Sequence, residues 1–159
     1  MIVYHGSTTA VPVPDVDHSY KMLDFGRGFY ATTNYDQAVK WANRKAALYP
    51  GQKGVVNVYQ MNDNTENFKV KTFPEDLVEW IDFVCDCRDG IESYLEYDIV
   101  IGKVADDKVF RVVDMYHNGI WDRERALKEL KVYPTYDQIA FISQDAINQL
   151  LTFQSVKEV

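Results

Sequence analysis

Two stretches of the chain repeat apolar residues at i, i+3, i+4 and i+7: Leu77, Trp80, Ile81 and Val84, and later Val109, Val112, Val113 and Tyr116. That spacing puts four side chains on one helical face, so each stretch predicts a helix that must cover an apolar surface. Around them lie short extended runs rich in β-branched and aromatic residues: Ile2 to His5, Val55 to Met61, Phe68 to Lys71, Tyr97 to Gly102 and Gln138 to Ile142. Strands and helices follow one another without regular alternation, which points to the α+β class. The 159 residues suit one domain spanning 1–159, with no internal repeat and no low-complexity linker.

Local signals set the expected boundaries. Gly6 and Ser7 end the first strand, and the Pro- and Gly-containing segment from Thr8 to Gly28 reads as a long ordered loop, a kind of segment that is often functional. Asn34 is placed to cap a helix with Gln37 at the capping-box position, Ala38, Trp41, Ala42 and Tyr49 share its face, and Pro50-Gly51 stops it. Pro74 suits the first turn of the helix bearing Trp80, Asp106 can cap the one bearing Val109, and Gly119 follows that helix. A charged fourth helix is expected from about Trp121 to Lys131, a short one capped by Ser143 ending near Leu151, and an edge strand from Thr152.

Lys and Arg total 17 against 24 Asp and Glu, a formal charge of -7 that disfavours a broad phosphate-neutralising face and hence an extended nucleic-acid footprint. No apolar stretch approaches the roughly 20 residues of a membrane span, and MIVYHGS lacks a basic region followed by an apolar core, so a cytoplasmic protein without a leader is expected. Cys85 and Cys87 stand at i and i+2 in a helical segment, where side chains diverge; reduced structural thiols are expected rather than a disulfide or metal pair. No spacing of His, Cys, Asp or Glu reads as a metal site, and His18 and His117 lack a partner pattern.

Three segments place polar or aromatic residues where a core strand would not need them. In Tyr4-His5-Gly6-Ser7, a strand-end histidine and an uncrowded backbone can face one ligand, although a histidine bonded to a carbonyl is the plainer alternative. In Asp24-Phe25-Gly26-Arg27-Gly28-Phe29-Tyr30, two glycines let backbone approach a ligand, or simply make a turn, before a strand presenting Tyr30; the pattern is not a dinucleotide fingerprint. In Asp137-Gln138-Ile139-Ala140-Phe141, alternation sets Ile139 and Phe141 on one face and Gln138 on the other, where a surface glutamine is the plain alternative. Ser7 and Thr33 are better explained by turn or cap bonding than as nucleophiles, and helix capping accounts for Asp106 and Asp107.

Taken in order, VYHGS, DFGRGFYATT, QAVKWA, YDIVIGKVADD and DQIAF resemble a small bacterial family of the ADP-ribosyltransferase superfamily, in the diphtheria-toxin-like and poly(ADP-ribose)-polymerase-like branch with a His-Tyr-Glu triad. The resemblance runs from Tyr4 to Phe141 and implies a split mixed β-sheet surrounded by helices, at close to the minimum size for that fold. It implies NAD as substrate. His5 matches the triad histidine that bonds a ribose hydroxyl, the backbone of Gly6 the group that holds the nicotinamide carboxamide, Tyr30 the residue packed on the nicotinamide ring, and Trp41 an aromatic on its other face. Ser7 and Gly28 belong to the same cofactor-binding segments, and Arg27 is the cation expected to meet the pyrophosphate, with an exposed surface arginine as its plain alternative and a core position as that of Trp41.

Gln138 falls where that family usually has glutamate. A carboxylate bonds the ribose 2'-hydroxyl and stabilises the positive charge that develops as the nicotinamide–ribose bond breaks, whereas an amide does the second only weakly. His5, Tyr30 and Gln138 are therefore the expected catalytic set of a mono-ADP-ribosyltransferase rather than a chain-elongating enzyme. Asp137 is adjacent but alternation points it away. The acidic balance favours a protein acceptor, and the family resemblance implies a toxin or modifier with a neutralising partner. Two alternatives stand beside this reading: an NAD or ADP-ribose binding module without turnover, and a transferase acting on nucleic-acid ends.

Overall fold

The computed structural model describes residues 1–19, 23–73, 77–104, 107–131 and 137–159. Its strands and helices run in the order β1 (Ile2–Ser7), β2 (Phe29–Ala31), α1 (Tyr35–Ala47), β3 (Val55–Met61), β4 (Val70–Thr72), α2 (Leu77–Arg88), β5 (Ile99–Lys103), α3 (Asp107–His117), α4 (Arg123–Leu130), β6 (Asp137–Phe141), α5 (Gln144–Leu150) and β7 (Leu151–Glu158). The class is α+β. Single 3₁₀ turns occupy Val16–His18 and Glu92–Glu96.

The strands form two sheets. One is antiparallel, in the order β1-β3-β7, and the other is mixed, in the order β2-β6-β5-β4 with β4 parallel to β5. Among the described residues one backbone bridge joins them, where Tyr4 and Thr32 exchange hydrogen bonds of 2.8 and 2.9 Å. Beyond that bridge β1 and β2 part.

Alternation along the mixed sheet sorts its side chains into two cores. Ile99, Ile139, Phe141, Phe29 and Ala31 face the antiparallel sheet and pack with Val3, Tyr59, Met61 and the buried face of α5. Val100 and Ala140 face the other way, onto Trp80, Ile81 and Val84 of α2 and Val109, Val112 and Val113 of α3. The i, i+3, i+4, i+7 faces therefore do what their spacing requires. Burial of each such side chain is worth about 1.5–3 kcal/mol, which makes helix docking rather than intrinsic propensity the main support of α2 and α3.

Helix starts follow the sequence signals. Asn34 accepts the Gln37 N–H at 2.9 Å and Ser143 that of Ala146 at 3.3 Å, while α4, expected from about Trp121, starts at Arg123 behind Asp122, which accepts the Arg125 N–H at 2.8 Å. The Asn34 box is only half made, because the Asn34 N–H turns to Thr32 Oγ1 at 3.1 Å. Gly119 has φ 75°, the left-handed backbone expected just past a helix.

Three boundaries move. β1 continues through Gly6 and Ser7, since both pair with β3 and Gly6 lies flat under α1; an alanine Cβ there would sit 2.2 Å from the Ala38 carbonyl oxygen. Tyr49 lies past the end of α1 and is exposed. The weak strand expected at Phe68 forms at Val70, where a parallel partner is available in β5. Pro74 and Asp106 lie outside the described residues. Cys85 and Cys87 are both free and buried in α2. Among the described residues no helix is long and apolar enough to cross a membrane.

Candidate functional site

Where β1 and β2 part, a cavity of about 400 Å³ opens between the mixed sheet, α1, α3 and the loop before β2. That volume falls within the range of small-molecule sites, roughly 300–1,000 Å³. Its walls include His5 and Gly6 of β1, Gly28, Tyr30 of β2, Trp41 of α1 and Gln138 of β6. Register accounts for two of these: Tyr30 pairs with Ala140, so Gln138 lies two residues along on the same face of the sheet.

His5 is buried, and its Nδ1 lies 2.6 Å from the Tyr30 carbonyl oxygen. A carbonyl only accepts, so Nδ1 carries the proton and Nε2 keeps its lone pair. Burial holds the ring pKa down to about 3, well below its ordinary 6.5, with smaller opposing help from the Tyr30 carbonyl; His5 is neutral throughout the physiological range. Its Nε2 is buried and has no hydrogen-bond partner among the described residues. The plain alternative, a histidine bonded to a carbonyl, is thus true of one nitrogen and leaves the other unsatisfied.

Tyr30 is fixed at its far end. The hydroxyl donates to the Gly26 carbonyl at 2.5 Å and accepts the Phe25 N–H at 3.0 Å. Burial first, and then the Asp24 carboxylate, holds the phenol pKa well above its usual value. A tyrosine so placed offers a ring as a wall rather than a proton.

Gln138 is likewise buried. Its Nε2 faces two acceptors, the Lys103 carbonyl at 3.1 Å and Asp24 Oδ2 at 3.2 Å, which fixes the amide orientation and leaves Oε1 as its remaining acceptor. Asp137 points the other way and is occupied by Thr33 Oγ1 at 2.7 Å, so it is a cap for the turn into α1.

The structure keeps two of the sequence candidates out of the cavity wall. Ser7 is buried, and its Oγ accepts the Thr9 N–H at 3.5 Å. Arg27 turns away to pair with Asp17 and lines a separate smaller recess of about 190 Å³. The glycines beside it serve the protein's own packing: Gly26 has φ 81° and presses on the Tyr94 ring, and Gly28 lies against the Phe141 carbonyl. The Gly28 backbone is also clasped by Ser19, whose hydroxyl donates to its carbonyl at 2.5 Å and accepts its N–H at 3.0 Å.

Three titratable cavity residues went unassigned by sequence reasoning. Lys45 stands one helical turn beyond Trp41, an i, i+4 relation that was open to inspection; burial pulls its pKa below the usual lysine value. His18 packs edge-on against the His5 ring at 5.5 Å, and desolvation lowers its pKa. Asp24 reaches the cavity beside Gln138. His117 instead bonds Asp89 at 2.7 Å on the surface. Among the described residues no group of three or more His, Cys, Asp or Glu is placed to hold a metal.

Among the described residues the cavity is therefore lined by a neutral histidine whose buried Nε2 has no partner, two aromatic walls, an amide oxygen, a carboxylate and an ammonium group. That set can accept hydroxyl hydrogens, stack a flat ring and meet an anion. No curated protein matches the sequence. A family model described as a protein of unknown function, DUF3990, matches residues 1–153, a span that contains every cavity residue, and the chain belongs to the DUF3990 family.

Proposed function

We propose that the chain is an NAD-dependent mono-ADP-ribosyltransferase with an ADP-ribosyltransferase-like fold, acting on a protein acceptor. One observation carries the reading: a cavity-lining histidine with a buried, unpartnered Nε2 stands in the same cavity as Tyr30, Trp41 and Gln138. A buried acceptor without a donor is rare in a folded protein, and a ligand hydroxyl would satisfy it. Two sheets joined, among the described residues, by a single backbone bridge are consistent with the split sheet of that superfamily.

In this reading His5 Nε2 accepts a ribose hydroxyl, Tyr30 and Trp41 flank the nicotinamide ring, and the backbone of Gly6 holds its carboxamide. Gln138 Oε1 accepts the 2'-hydroxyl of the second ribose. The bond between ribose C1 and the nicotinamide nitrogen breaks, its electron pair passes to the ring nitrogen, and the positive charge moves to the ribose. An acceptor nucleophile then donates a lone pair to C1 and gives up its proton. Lys45, inside the cavity, replaces Arg27 as the cation for the pyrophosphate.

Purified protein incubated with NAD should release nicotinamide, and mass spectrometry of a treated lysate should show an added ADP-ribose on a protein. His5→Ala and Tyr30→Ala should each abolish both signals; full activity in both variants would refute the site. The neutral, internally bonded Gln138 favours one alternative, a binding module without turnover. Micromolar NAD affinity by calorimetry with no nicotinamide release would establish it instead.

A further inference from the structure

We infer that Asp24 supplies the negative charge that Gln138 lacks: the two side chains form one unit in which Gln138 binds the ribose and Asp24 stabilises the cation that forms at C1. The inference rests on the NAD reading of the cavity. Both residues line it, and Gln138 Nε2 donates to Asp24 Oδ2 at 3.2 Å. The bond ties the amide to the carboxylate and turns Oε1 away from both its acceptors.

Asp24 is held from a second side. Arg88 Nη2 stands 3.8 Å from Asp24 Oδ1, with both side chains largely buried, at 11% and 18% exposure. Arg88 is not among the residues lining the cavity, and its guanidinium lies over the Phe110 ring at 4.0 Å. At 3.8 Å the pair lacks a hydrogen bond, and that Nη2 has no hydrogen-bond partner among the described residues. The carboxylate is thus positioned between a cation behind it and the cavity in front. In this partly buried setting its field acts on a developing positive charge at a lower dielectric than in water, offset in part by the Arg88 cation beside it.

The step needs no additional reagent. As the C1–nicotinamide bond breaks and its electron pair leaves with nicotinamide, positive charge grows on the ribose; Asp24 stabilises it without exchanging a proton. A water or acceptor lone pair then completes the bond to C1 and releases one proton to solvent. A charge aimed at that point is worth on the order of 100-fold in rate.

The test compares wild type, Asp24→Asn, Asp24→Ser and Asp24→Asn/Gln138→Glu, with nicotinamide release from NAD as the rate, calorimetry for NAD affinity and thermal melting for folding. Both single variants should lower kcat about 100-fold while KM and NAD affinity change less than about threefold. The double variant, which moves the carboxylate to position 138, should recover most of the loss. Wild-type kcat in either folded single variant overturns the inference, as does a loss that appears in NAD affinity alone or one that the double variant leaves uncorrected. A wild-type protein that neither binds nor cleaves NAD overturns the NAD reading and this inference with it, whereas active wild type with an active Asp24→Asn overturns the inference alone.

Discussion

His5 makes the stability of this protein depend on pH in a direction that can be worked out beforehand. In the unfolded chain its pKa returns to about 6.5, while burial in the fold holds it down to about 3. Between those values the unfolded state binds a proton that the folded state refuses, so stability is complete above pH 6.5 and is lost as pH falls toward 3. From about pH 7.5 to about pH 5 the unfolded histidine becomes protonated and the folded one does not, which costs about 2 kcal/mol at 1.36 kcal/mol per pH unit. His18 is also pulled down by desolvation and adds a loss of the same sign, so wild type alone does not isolate His5. His5→Gln does: the variant has no proton to take up at this position, and its own cost cancels when each protein is compared with itself. Urea unfolding at the two pH values should show wild type losing about 2 kcal/mol more than His5→Gln on acidification. Equal losses in the two proteins would refute the buried neutral histidine, and with it the lone pair on Nε2.

Gly6→Ala should lower stability by about 1–3 kcal/mol in urea unfolding, because its Cβ would meet the Ala38 carbonyl oxygen at 2.2 Å and the Ala42 nitrogen at 2.7 Å, both backbone atoms; unchanged stability would mean that α1 does not rest on β1 as described. Arg27→Ala should leave NAD affinity within about twofold of wild type, whereas Lys45→Ala should weaken it at least about tenfold, as loss of a charge-assisted bond would; calorimetry showing the reverse order would return the pyrophosphate to Arg27. Burial pushes the Cys85 thiol up to about 11 and the Cys87 thiol up to about 12, so neither should react with a disulfide reagent near neutral pH until the protein unfolds. Rapid labelling of either in the native protein would contradict the packing of α2.

Much of the fold was legible because it depends on local period. The faces of α2 and α3, the caps at Asn34 and Ser143, and the alternation of Ile139 and Phe141 against Gln138 all follow from spacing within a few residues. What spacing leaves open is which strand meets which. Gly6 resembles a strand breaker until α1 is known to lie over it, and then its lack of a side chain is what permits the contact. Arg27 stands between two glycines, as a loop cation facing a ligand would, yet Asp17 lies within reach of the same loop and takes it.

The site was legible in pieces and not as a unit. His5, Tyr30, Trp41 and Gln138 each drew notice for being polar or aromatic at a strand end or helix face, and one cavity gathers them. Asp24 drew none by itself, because a carboxylate ahead of a Gly-Arg-Gly turn has an ordinary explanation as a turn residue. Its partner lies 114 residues away, and only the register of β6 with β2 and β5 brings the two to one wall. Read alone, Gln138 looks like a triad that has lost its charge. Read with Asp24 at 3.2 Å, the cavity still holds a carboxylate, on a different strand connection, and our proposal of turnover rather than binding alone rests on that carboxylate.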